Sequence, residues 1–233
     1  MFFGGAAACA SLDLLLTLSR GGWLAAAVSL SLFLCLLMTT VEGLAFLKRN
    51  NRLILILCFF GLVSVTALSG TIMRKLFESA NTNISSRMEL NEMASDMIKH
   101  HPLTGVGLNN SVDASANYNL MDQFMVFSGL PPVIHNIYLL IGAEVGVLGI
   151  LALVTFILFL LIRGMVLARN RMNEGDIAFF LAALAAGGFA YLAADMFGPG
   201  LRKLEISYLF WGHLGMVTLL TNTSGALPPR ANH

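Results

Sequence analysis

Six apolar runs divide the chain, at about 2–18, 23–47, 53–71, 134–162, 177–196 and 205–221. About 20 apolar residues in a helix cross ~30 Å of hydrocarbon, so runs of this length read as membrane spans. A span must satisfy its own backbone hydrogen bonds in lipid, which predicts helices. The breaks between runs are short and polar, with one exception. Ser19-Arg20-Gly21-Gly22 is a tight break, and Lys48-Arg49-Asn50-Asn51-Arg52 is basic. The stretch from Arg163 to Asp176 also holds Arg169 and Arg171, and Phe197-Gly198-Pro199-Gly200 reads as a turn. The exception is a long polar segment of about 72–133.

The expected fold is all-α: a polytopic helical membrane protein of about six spans, with one long loop containing an amphipathic helix. Its parts are 1–71, the N-terminal spans; 72–133, the loop; 134–221, the C-terminal spans; and 222–233, a polar tail expected to be disordered. The first run begins at Met1 with no soluble segment before it, so a missing N-terminal half is expected.

Within the loop, Leu90, Met93, Ala94, Met97 and Ile98 repeat at i, i+3, i+4, i+7 and i+8. That spacing predicts a surface helix over about 87–100. Ser86 and Glu89 form a capping box ahead of it, and Pro102 blocks its continuation. Leu103-Thr104-Gly105-Val106-Gly107 then predicts a tight loop.

Composition agrees with a membrane protein. Of 233 residues, 57% are hydrophobic and 12% charged, and the mean hydropathy is +0.77. Soluble domains rarely carry so little charge. A net charge of +1 gives no sign of nucleic-acid binding. Cys9, Cys35 and Cys58 each lie in an apolar run without metal-like spacing, and read as lipid- or core-facing residues. Parity places the long loop with Arg20 and the 198–203 turn. The basic breaks and the tail share the other side. Each side holds seven basic residues, but short loops and span ends lean toward a cytoplasmic assignment for that other side. Arg202 and Lys203 argue against it.

Few polar residues could carry chemistry. Arg87 is expected at the first position of the loop helix, where the helix dipole and a forked guanidinium would both favour phosphate. A solvated surface arginine is the plainer reading. Arg20 sits at a membrane surface, as an interface anchor or as a functional cation, and Asp13 two turns earlier is one partner for it. His135 is expected near a helix start introduced by Pro131-Pro132. The dipole there disfavours imidazolium, so the ring could accept a proton; an interfacial histidine is the alternative. Gly142, Gly146 and Gly149 are expected on the His135 face, with Gly142 and Gly146 forming a close helix contact. Glu144 on the opposite face is either paired structurally or part of a second polar site. His100, His101 and His213 are weaker candidates. No metal-ligand cluster, Asp-x-Asp, nucleophile elbow or P-loop is present.

Three motifs occur in order. They are Ser19-Arg20-Gly21 before a span, Ser86-Arg87 followed by the helix and His101-Pro102-Leu103-Thr104-Gly105-Val106-Gly107, and His135-Asn136 with nine residues before Gly146 and then Gly149. The set, over about 10–220, resembles the C-terminal half of the O-antigen ligase and polymerase superfamily of bacterial envelope glycan assembly. Leu209-Phe210-Trp211 is similar to that family's last span. The resemblance implies transfer of a glycan from an undecaprenyl-diphosphate-linked donor at the periplasmic face of the inner membrane. The acceptor would be lipid A-core or another glycan, with inversion and without metal or cofactor. It assigns Arg20 and Arg87 to the diphosphate and His135 to the essential loop-end histidine. Asn136, Tyr138, Arg74 and His101 are the accompanying substrate-binding candidates. The alternatives are a transporter or flippase-like protein using Asp13, Glu144 and Asp195 as coupling sites, and a purely structural membrane subunit. The internal repeats frequent in transporters are not found.

Overall fold

The computed structural model describes residues 20–51, 80–118 and 133–226, with side chains for 21–51, 87–118 and 133–223. The expected spans at 2–18 and 53–71, Asp13, Arg74, Cys9, Cys58, Pro131-Pro132 and the end of the tail lie outside the described residues. So do the side chains of Arg20 and Ser86.

Every described element is helical. The principal helices are α1 (Arg20–Met38), α2 (Val41–Arg49), α3 (Ala80–His100), a short α4 (Ser111–Ala114), α5 (Ile137–Asn170), α6 (Asp176–Ala194) and α7 (Leu204–Ala226). Among the described residues three segments, Gly21–Met38, Ile137–Asn170 and Asp176–Ala194, are long and apolar enough to cross a membrane. The chain divides into two compact units. One contains Met1–Phe77, Leu161–Ala194 and Gly215–His233; the other contains Glu78–Leu160 and Asp195–Leu214.

In the first unit α1 packs along α6. Leu36, Leu37, Ala168, Met172, Leu181, Ala182 and Val217 form the core. Small residues let these helices approach closely. A methyl group on Gly188 would lie 3.1 Å from Leu161 Cδ1. The expected single run 23–47 is broken. Thr39 and Thr40 turn their hydroxyls back onto Leu36 O and Leu37 O, and Thr40 then accepts from Gly43 N at 3.1 Å to cap α2. Threonine hydroxyls compete with the helix ladder in this way, and a β-region N-cap starts a new helix.

In the second unit the predicted stripe is the core. Leu90, Met93, Ala94 and Met97 of α3 pack on Ile134, Ile137, Leu140 and Ala143. The helix, however, starts at Ala80 rather than at 87. No Gly or Pro interrupts Asn81 to Ser86, so nothing stops it there. Ser86 is therefore not an N-cap, and Arg87 lies in the helix interior. At the exposed end of α3, Lys99 donates to Asp96 Oδ1 at 2.8 Å. That contact holds the Asp96 carboxyl below its usual range and raises Lys99. At the far end of the chain α7 runs to Ala226, five residues past the expected boundary at 221.

Candidate functional site: the helix break and the His135 segment

α5 is not one straight rod. Gly146 has φ 79° and ψ 175°, and separates two helical segments. A methyl group on Gly142 would lie 3.8 Å from Ile150 Cγ2. In a straight helix eight residues span about 12 Å, so the chain folds back at Gly146.

The break exposes backbone groups, and the loop after α3 satisfies them. Val147 N donates to Pro102 O at 2.8 Å, Val106 N to Ala143 O at 2.8 Å, and Gly107 N to Glu144 O at 3.0 Å. A helix interrupted inside an apolar region needs such substitute partners. The approach is backbone to backbone. A Cβ on Gly146 would stand 2.5 Å from Leu103 C, and one on Gly105 would stand 2.6 Å from Ala143 O. Both residues also have positive φ. Gly146 therefore meets the loop rather than a helix, while Gly142 meets Ile98 of α3. The expected Gly142–Gly146 helix seam is corrected accordingly.

Glu144 completes the junction. Only 3% exposed, it accepts from Asn109 N at 3.0 Å, from Ser111 Oγ at 2.7 Å and Ser111 N at 3.4 Å, and from Arg202 Nη1 at 2.8 Å. Arg202 Nη2 also bonds Asn109 Oδ1. A buried carboxylate needs this many donors. Glu144 is thus paired structurally, the first of the two readings its position allowed.

His135 and Asn136 precede α5 rather than lying on its face. Asn136 is the helix N-cap: its Oδ1 accepts from Tyr138 N at 3.0 Å and Leu139 N at 3.3 Å. That geometry accounts for the asparagine without a ligand. His135 is partly exposed, and its Nδ1 lies 2.7 Å from Val133 O. A carbonyl can only accept, so Nδ1 carries the proton, and in the neutral ring Nε2 keeps its lone pair. The expected same-face alignment of His135 with Gly142 and Gly149 does not apply, because the helix begins two residues after the histidine.

Asp195 anchors this helix start. Its carbonyl accepts from Ile137 N at 3.0 Å. Leu201 N and Gly200 N donate to its carboxylate. The second oxygen, Oδ2, is buried with no hydrogen-bond partner among the described residues. The turn carrying Gly200 and Leu201 also carries Arg202, so one short segment ties the start of α5 to the Glu144 junction.

Of the other candidates, Arg87 is exposed on α3. His101 is exposed, and its carbonyl accepts Gly105 N at 2.9 Å. Arg87 and His135 belong to the same unit, and no described bond joins them. Among the described residues no cluster of His, Cys, Asp and Glu could hold a metal ion.

A family model described as O-antigen ligase matches residues 5–154, more than half of the chain. The chain belongs to the O-antigen ligase family. No curated protein and no solved structure matches it. The family match takes in Arg20, Arg87, the 101–107 loop, His135 and Gly146, and ends before Asp195 and Arg202. The sequence offers Asp195 only as a coupling site in the transporter alternative. Arg202 enters the sequence reading only as a charge that argues against the expected orientation.

Proposed function

We propose that the protein transfers a glycan from an undecaprenyl-diphosphate-linked donor to a lipid A-core or glycan acceptor at the periplasmic face of the bacterial inner membrane. Family membership supports glycan transfer in a membrane. The observation that carries the chemistry is the Nδ1 contact of His135, which leaves Nε2 as a base.

In this reading the acceptor hydroxyl attacks the anomeric carbon opposite the diphosphate. The new C–O bond forms as the sugar–phosphate bond breaks, and the electron pair leaves on the diphosphate. The hydroxyl proton passes to His135 Nε2, and the anomeric centre inverts. Arg87 and Arg20 take the diphosphate. Fixed guanidinium groups stabilise a leaving anion most where water is scarce. Arg87 acts here through its exposed fork, without help from a helix terminus. Tyr138, Arg74 and His101 remain proposed substrate contacts, and Asn136 acts through the cap it provides.

The transporter reading loses one of its coupling sites, because four donors already occupy the Glu144 carboxylate. The test is transfer by the full-length protein in proteoliposomes. His135→Ala abolishes product while insertion is unchanged, Arg87→Lys is poorly tolerated because an ammonium cannot bind phosphate bidentately, and EDTA has no effect. Unimpaired transfer by an Arg87→Ala, His135→Ala double variant overturns the proposal, and EDTA-sensitive transfer overturns its metal-free part.

A further inference from the structure

Arg163 lies within the apolar helix α5, seven residues before its end at Asn170. That is about 10 Å along the axis. Ile162 and Val166 flank it on the same helix, and both are exposed, as is Arg163. The arginine thus sits in the middle of a stripe built to face lipid. Charged residues in spans ordinarily turn inward or pair with an opposite charge. Among the described residues Arg163 does neither. Its one bond in the described structure is from Nη2 to the neutral Asn222 Oδ1 at 3.0 Å.

Asn222 belongs to a parallel stripe on α7. Leu219, Asn222 and Thr223 fall at i, i+3 and i+4, and all are exposed. The Arg163–Asn222 bond joins the two stripes inside one compact unit. The result is a guanidinium between two exposed stripes that carry apolar residues, with four of its five N–H donors unspent among the described residues. Arg169 is also exposed, near the end of α5. The arginine side chain is long enough to reach from this depth toward the headgroup layer.

We propose that Arg163 and Asn222 form a binding site for the headgroup phosphate of an anionic glycerophospholipid, with the acyl chains along Ile162, Val166 and Leu219. A lipid phosphate supplies the opposite charge that the described residues do not, and it accepts the fork bidentately. The lipid source is favoured over free phosphate because the cation is embedded in an apolar stripe. This site is independent of the glycan-transfer reading.

The experiment measures thermal unfolding in a neutral detergent with added phosphatidylglycerol, phosphatidylcholine or soluble glycerol phosphate. Native mass spectrometry counts retained lipid alongside. For the wild type, phosphatidylglycerol raises the midpoint and the other two do not. Arg163→Gln loses the shift and binds at least about tenfold more weakly, whereas Arg169→Gln keeps both. If Arg163→Gln does not survive purification, Arg163→Lys answers instead, retaining less phosphatidylglycerol than the wild type. The proposal is overturned by an equal shift in Arg163→Gln, by equal retention in Arg163→Lys, or by phosphatidylcholine matching phosphatidylglycerol. An equal effect of glycerol phosphate would make the site a plain anion site and overturn the lipid assignment.

Discussion

Replacing Gly146 by alanine tests the helix break directly. The backbone there, at φ 79° and ψ 175°, lies in a region that is essentially glycine-only, and strain of that kind costs about 1–3 kcal/mol. The new methyl would also stand 2.5 Å from Leu103 C and 2.9 Å from Pro102 O. Both are backbone atoms that cannot rotate away. The loop must therefore retreat, which puts three bonds at risk: Val147 N to Pro102 O, Val106 N to Ala143 O, and Gly107 N to Glu144 O. Each contributes about 0.5–1.5 kcal/mol net. Strain and lost bonds together come to about 3–7 kcal/mol, a large share of the ~5–15 kcal/mol that holds a typical protein together. Gly175 provides the control. It has φ 96° and ψ −147°, a similar strain, but a methyl there meets nothing within 4 Å. Gly175→Ala should therefore cost only the strain, about 1–3 kcal/mol. Unfolding of both variants in detergent by heat or denaturant gives the comparison. If Gly146→Ala is no less stable than Gly175→Ala, the loop does not occupy the break as described.

Three further predictions concern the same unit. Arg202→Ala should destabilise by about 3 kcal/mol, the low end for breaking a buried pair because Arg202 is partly exposed, with Arg202→Lys intermediate; equal unfolding midpoints for all three proteins would show that the Glu144 contact is not stabilising. Asn136→Ala should cost about 1 kcal/mol of stability and Asn136→Asp almost none, so full stability with abolished transfer in Asn136→Ala would make the asparagine a ligand contact instead. A cysteine at Asn117 should react with an impermeant thiol reagent on intact spheroplasts, and labelling only after permeabilisation would reverse the proposed orientation.

Among the described residues the apolar runs determined where helices lie, though not where they break. Lipid leaves a backbone no choice but internal hydrogen bonding, so Asp176–Ala194 follows from composition alone. The stripe of Leu90, Met93, Ala94 and Met97 likewise stated which face of α3 would be buried, because helical periodicity is a local property. The three motifs named the family for a related reason: they are short, contiguous and ordered. Helix ends were less legible. Ser86 with Glu89 has the residues of a capping box, but a cap forms only where the preceding backbone leaves the helix, and here it does not. Thr39-Thr40 ends a helix inside an apolar run through side-chain bonds that hydropathy does not register. What only the tertiary structure decided is where distant backbone meets. Gly146 looked like half of a helix seam because its spacing fits one. Its positive φ and the 102–107 loop pressed against it have no signature in the apolar pattern. The same holds for Glu144, whose partners lie 33 to 58 residues away, and for Asp195, which holds the start of a helix far earlier in the chain. Periodicity reports which face is buried; only the folded chain shows which neighbour buries it.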